Sequence, residues 1–180
     1  IKEFTVTSIK IMLLKILFTK FNYLFLFELL VSKAYYKKSS LISWIQSSYK
    51  ILSICNSDKF QEISKQFDNN TILYFFWGRE TSEFLAVKKP KAYKIACRFH
   101  GYDLYEERNN GYLPYQRSIL KKITYALPCS LHGADYLKNK YPQFKCKIHI
   151  ARLGTKHFGL SRISEHNKLH IVSCSSLVEL

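Results

Sequence analysis

Neither G-x-G-x-x-G nor G-x-x-x-x-G-K-[ST] occurs among the 180 residues of this chain. Both loops need glycines so that main-chain N–H groups can close on phosphate, so a complete dinucleotide or P-loop site is not expected here. The G-x-S-x-G elbow of serine hydrolases is also missing. The five cysteines, at positions 55, 97, 129, 146 and 174, form no C-x-x-C pair and no Cys/His ligand spacing, which argues against zinc. Cys97, Cys129 and Cys174 fall in apolar runs, where a reduced thiol behaves as a small buried hydrophobe, as in cytosolic proteins. Long apolar runs are absent too. Lys10, Lys15, Lys20 and Glu28 interrupt the stretch from Ile9 to Val31. The longest uncharged piece there, Phe21 to Phe27, is far short of the roughly 20 residues that a membrane-spanning helix needs. There is no initiator Met and no export signal, and the chain stops at "VEL" just after a strand-like run, so a fragment is expected.

Acidic residues are scarce: 13 Asp and Glu stand against 28 Lys and Arg, a net charge of +15. Such a surface suits nucleic acid, anionic lipid or phosphorylated small molecules, and charge alone does not choose among them. No RNP-type aromatic motif or repeated basic–aromatic module occurs, so nucleic acid is not an expected partner. With 47% hydrophobic and 16% aromatic residues the chain can build a globular core.

Apolar residues at 9, 13, 16, 17, 24 and 27 lie near helical spacing, which predicts a helix over 8–38, broken near Asn22. Its lysines allow a basic amphipathic helix on an anionic membrane, but apolar residues cover too much of its circumference, which favours packing on a sheet. Helices are predicted at 41–54 and 58–67, the second capped by Asp58. From there the pattern alternates. Strands are predicted at 71–77, 94–100, 127–131 and 146–152, with a last one over 169–177. Between them stand helices at 81–89, capped by Thr81, at 114–125 with Pro114 in its first turn, and at 134–141. This alternation predicts an α/β fold, a Rossmann-like parallel sheet covered by helices on both faces. Right-handed crossovers bring the carboxyl ends of all strands to one edge, where ligands of such sheets bind.

That edge collects Trp77-Gly78, the stretch "CRFHGYD", His132-Gly133 and "ARLG". His100, followed by Gly101, can approach a ligand without steric cover, and an imidazole can donate or accept a proton near neutral pH. Asp103 can orient that histidine, act on a substrate hydroxyl or cap a turn. Arg98 shares a face with His100 and suits a phosphate contact or a salt bridge. Arg152 and Gly154 present the same choice between ligand and turn, and Trp77 the choice between stacking a sugar or base and packing. His132 belongs to a strand-to-helix turn, and His149 to the packing of a strand.

"LYFFWG", "CRFHGYDLYEERNNGYLPYQ", "CSLHGADYLKNKYP", "KIHIARLGT" and "LHIVSCSSLVEL" follow one another in an order that resembles family 4 glycosyltransferases. The likeness is to the bacterial capsule and exopolysaccharide branch that includes the colanic acid and amylovoran enzymes. It covers about residues 70–180, with "RxHGYDLYxER" its most specific part. The resemblance implies a GT-B fold of two Rossmann-like domains. Residues 1–155 would form the acceptor-side domain, 156–168 a linker and 169–180 the first strand of the donor domain. It implies retaining transfer of a sugar from a nucleotide-sugar to a lipid-linked or oligosaccharide acceptor, in the cytoplasm and peripheral to the inner face of the membrane. No metal or other cofactor is implied. His100 and Asp103 would be catalytic, with Arg98, Gly101, Trp77, Arg152 and Gly154 binding substrate. The donor-phosphate residues and the Glu-x7-Glu segment are not found here, so the chain alone is expected to be inactive. The alternatives are a non-catalytic basic module for anionic lipid or nucleic acid, or a degenerate remnant.

Overall fold

The computed structural model describes residues 6–154. Four helices come first: α1 (Val6–Leu17), α2 (Asn22–Ser32), α3 (Lys38–Cys55) and α4 (Asp58–Lys65). The predicted break falls at Asn22, whose amide nitrogen donates to Leu17 O at 3.1 Å across the turn. Contrary to expectation, α1 and α2 pack on α3 rather than on the sheet. The chemistry of the contact explains this. Trp44 Nε1 on α3 donates to Phe25 O at 3.0 Å, and Ile16 and Phe25 are fully buried beside it. Ser57, not Asp58, caps α4, accepting from Phe60 N at 3.2 Å. Asp58 sits in the first turn, where its charge suits the helix dipole.

The sheet contains β1 (Ile72–Phe75), β2 (Lys94–Phe99) and β3 (Tyr125–Pro128), in the order β1-β2-β3 and all parallel. Phe75 pairs with Cys97 and Phe99 with Pro128, so the three carboxyl ends share one edge. The α/β class and the Rossmann-like parallel sheet are therefore present. Ile95, Cys97, Phe99 and Ala126 turn one sheet face into the core. On the other face Lys94, Ala96 and Arg98 are half-buried, while Ile72 and Tyr74 on the edge strand are exposed. A strand order that advances in one direction stacks its right-handed connections on one side, which fits this asymmetry.

Several boundaries differ from the sequence expectation. The predicted helix at 81–89 is a 3-10 helix, Glu80–Ala86, with no side-chain cap. Helix α5 is only Gln116–Lys122 and leaves Pro114 outside it. Tyr115 precedes α5 with φ 61°, in the left-handed region that L residues normally avoid. Two buried contacts hold it there: its N–H donates to Glu28 Oε1 at 3.0 Å, and its hydroxyl shares a 2.5 Å hydrogen bond with Ser48. The predicted strand 127–131 lies at 125–128, because Ser130 caps α6 (Leu131–Lys140) by accepting from Gly133 N. Cys129 thus lies past the strand. The predicted strand 146–152 is replaced by a 3-10 helix, Pro142–Lys147, and an isolated parallel bridge between Ile148 and Ala126. His149, placed in that strand by the sequence, is exposed beside Tyr125. The expected linker at 156–168 and strand at 169–177 lie outside the described residues.

Candidate functional site at the carboxyl edge of the sheet

Asp103 organises this edge. It is buried, and its two carboxylate oxygens accept main-chain N–H groups from two strand ends: His100 N at 2.6 Å and Gly78 N at 2.7 Å. Hydrogen bonds to a charged acceptor are the strong kind, so the carboxylate ties the end of β1 to the end of β2. Gly78 must come close for this to happen. A Cβ at that position would run into the buried ring of Phe99. The clamp brings Trp77 over His100, ring centroids 4.1 Å apart, with Phe76 at 5.1 Å on the same imidazole.

The His100 ring nitrogens have no hydrogen-bond partner, and Arg98 Nε is likewise buried and unpaired. The nearest acceptor to His100 Nδ1 is Asp103 Oδ2 at 3.6 Å, within ion-pair reach but beyond hydrogen-bond range. Buried polar groups are nearly always paired, so two such groups, one near the carboxyl end of β2 and one just past it, mark a place where a polar ligand would complete the bonding. Gly101 adjoins them, and a side chain there would meet the Arg108 guanidinium.

A cavity of about 440 Å³ opens at this edge, with Trp77 and Asp103 in its wall. His100 is not among its lining residues; Trp77 touches both. Arg79, Glu80, Glu83 and Tyr102 line the cavity from the sheet side, and Ser43, Gln46, Ser47 and Lys50 from α3. Arg79 is held from three directions. Its Nη1 donates to Asn109 Oδ1 at 2.7 Å, its guanidinium lies 5.3 Å from the Tyr102 ring centroid, and its Nε is 3.7 Å from Glu83 Oε1. Glu83 is only 2% exposed and accepts from Ser47 Oγ at 3.3 Å. Burial pushes its carboxyl above the usual range, although Arg79 and Ser47 oppose the shift. At the rim, Glu80 adopts φ 63°, a strained conformation for a residue with a side chain, and pairs with Lys50 at 3.2 Å.

The cavity thus offers two aromatic faces, a fixed guanidinium, an ammonium and a buried acid whose proton is held more tightly than in water. Of the expected site residues, the structure brings together Trp77, Arg98, His100, Gly101 and Asp103. Arg152 and Gly154 are exposed and lie outside the cavity wall, and a side chain at Gly154 would meet open space. Arg79 and Glu83 were missed by the sequence reading. A signal for them existed: they follow the strand-end Trp77-Gly78 directly and stand four residues apart, so one turn presents both. No local signal marks Ser47 and Lys50, which arrive from α3. Among the described residues no three His, Cys, Asp or Glu side chains converge to hold a metal ion. No described helix is long and apolar enough to cross a membrane. No protein family, curated protein or solved structure matches this chain.

Proposed function

We propose that this chain forms the acceptor side of a retaining glycosyltransferase that builds surface polysaccharide from nucleotide-sugars. The observation that supports it best is the cavity at the carboxyl edge, where Trp77 and Tyr102 face a space also lined by Arg79, Glu83 and Lys50. A pyranose has apolar C–H faces and a rim of hydroxyls. Aromatic side chains cover the first, and paired carboxylate and guanidinium groups bond the second. In this reading the acceptor saccharide occupies the cavity. Arg98 and His100, both short of hydrogen-bond partners, contact the transferred sugar and its diphosphate from a second domain that the resemblance implies. Asp103 acts as a positioning residue, since its oxygens are committed to main-chain N–H groups. The work takes place in the cytoplasm, where nucleotide-sugars are made.

Intrinsic fluorescence tests the acceptor half of the reading. Trp44 is buried and Trp77 is 48% exposed, so a saccharide in the cavity perturbs Trp77 alone. Oligosaccharides are expected to change the emission saturably. Glu83→Gln should weaken binding by about tenfold, the loss of one bond to a charged group. A response unchanged in Trp77→Ala defeats the assignment. Transfer is assayed with the donor-binding domain present: a His100→Ala protein that keeps the full rate removes His100 from the mechanism. Salt-sensitive binding of duplex DNA, with no response to sugars, favours the basic binding module instead.

A further inference from the structure

Helix α2 carries one charged residue, Glu28, which is also the single acidic side chain between residues 4 and 57. It is buried, and a carboxyl taken out of water destabilises the fold unless hydrogen bonds satisfy it. One oxygen, Oε1, accepts both of its partners: the Tyr115 N–H at 3.0 Å and the Tyr112 hydroxyl at 3.1 Å. The first bond restrains Tyr115 at φ 61°, a conformation that a residue with a side chain keeps only while its surroundings enforce it.

Two routes lead from Tyr115 to the cavity at the sheet edge. Along the first, its hydroxyl shares a 2.5 Å hydrogen bond with Ser48 Oγ, and the adjoining Ser47 Oγ donates to Glu83 Oε1 at 3.3 Å. Along the second, the next residue, Gln116, donates from Nε2 to Leu104 O at 3.0 Å, directly beside Asp103. The Tyr141 hydroxyl fixes the same side chain from its other end, donating to Gln116 Oε1 at 3.1 Å. Ser47, Glu83 and Asp103 line the cavity, whereas Glu28 does not. Eight polar or charged side chains are buried among the described residues, and six stand on these two routes: Glu28, Ser47, Ser48, Glu83, Asp103 and Gln116. Buried polar groups arranged in series respond together, because removing one partner leaves its neighbour unpaired away from water. We propose that Glu28 is a positioning residue of the saccharide cavity, fixing Glu83 and Asp103 from outside the wall by holding Tyr115 in its left-handed conformation. This role rests on the reading of the cavity as the acceptor site. Released from Glu28, Tyr115 relaxes to an ordinary φ, its hydroxyl leaves Ser48, and Gln116 moves off Leu104. The cavity then loses the fixed position of its buried acid, and the Asp103 clamp loosens.

Variants of the whole chain test it with two readouts: oligosaccharide affinity from Trp77 fluorescence, and the amide resonances of Gly78 and His100. Glu28→Ala should weaken binding about tenfold and shift both resonances, since the two amides report the clamp directly. Glu28→Gln should restore affinity to within about twofold and return the resonances, because an amide oxygen in place of Oε1 accepts the same two hydrogens. Ile16→Ala opens a gap in the same helical packing without touching Tyr115, so it should lower the melting temperature and leave both readouts as in the parent. Should Glu28→Ala fail to fold, Gln116→Ala cuts the second route alone, and it should weaken binding about threefold and shift the same resonances. A parent that binds no saccharide defeats the acceptor reading, and the resonances then decide the role of Glu28 by themselves. Three results overturn that role: Glu28→Ala, or Gln116→Ala in its place, matching the parent in both readouts; Ile16→Ala disturbing them equally; or Glu28→Gln restoring neither.

Discussion

Replacing Asp103 separates a positioning role from a chemical one. The carboxylate accepts Gly78 N at 2.7 Å and His100 N at 2.6 Å, and it is 1% exposed. A hydrogen bond to a charged group contributes about 1.5–3 kcal/mol net. Asp103→Ala therefore leaves two buried N–H groups without partners, a loss of about 3–6 kcal/mol. That is a large part of the roughly 5–15 kcal/mol that typically holds a domain together. Asp103→Asn keeps one acceptor oxygen but turns an NH2 toward the second N–H, so about half the loss is expected, roughly 1.5–3 kcal/mol. Urea unfolding followed by circular dichroism reads both values, with the slope required to match the parent so that midpoints can be compared. Hydrogen exchange adds a local readout, because the Gly78 and His100 amides should both lose protection in Asp103→Ala and only one of them in Asp103→Asn. Should Asp103→Ala fail to fold, Asp103→Asn still carries the test. An alanine variant that loses less than about 1 kcal/mol, with the Gly78 amide still protected, refutes the clamp.

Glu28 and Glu83 are both raised above their ordinary value of 4.5, chiefly by burial. The folded chain then holds protons that the unfolded chain releases, so their contribution to stability is full below pH 4.5 and is lost as pH rises through the folded values. Asp68 is shifted downward by its bond to Thr71, so its window lies below 3.8, clear of this one. The urea midpoint should fall between pH 4.5 and neutrality, and Glu83→Gln should flatten that decline. Each tenfold by which folding tightens the hold of Glu83 on its proton is worth about 1.4 kcal/mol of it. A decline identical in parent and variant is the contrary result. Two glycines that the sequence places at strand ends should respond differently. Gly78→Ala forces a methyl into the Phe99 ring and should cost about 1–3 kcal/mol. Gly154→Ala meets open space and should stay within about 0.5 kcal/mol, both read from thermal melts.

Local sequence determined the parts of this protein whose causes are local. Apolar runs between turn residues placed β1 and β2, the alternation with helices implied a parallel sheet, and Asn22 marked the break between α1 and α2. The meeting of Trp77, His100 and Asp103 at one edge follows from the parallel sheet, so it could be anticipated from strand ends alone. Tertiary structure decided the rest, because the causes lie far along the chain. Tyr115 is left-handed because a carboxylate 87 positions away takes its N–H. Glu83 is buried rather than solvated because Ser47, 36 positions earlier, meets it. The apolar excess of residues 8–38 divides between a face packed on α3 and a face open to solvent. Hydrophobic spacing gives the strength of such a pattern, but only the position of Trp44 and its neighbours decides which arc is buried. Spacing reports what a backbone prefers over a few residues. Burial, charge state and the cavity depend on groups that only folding brings together.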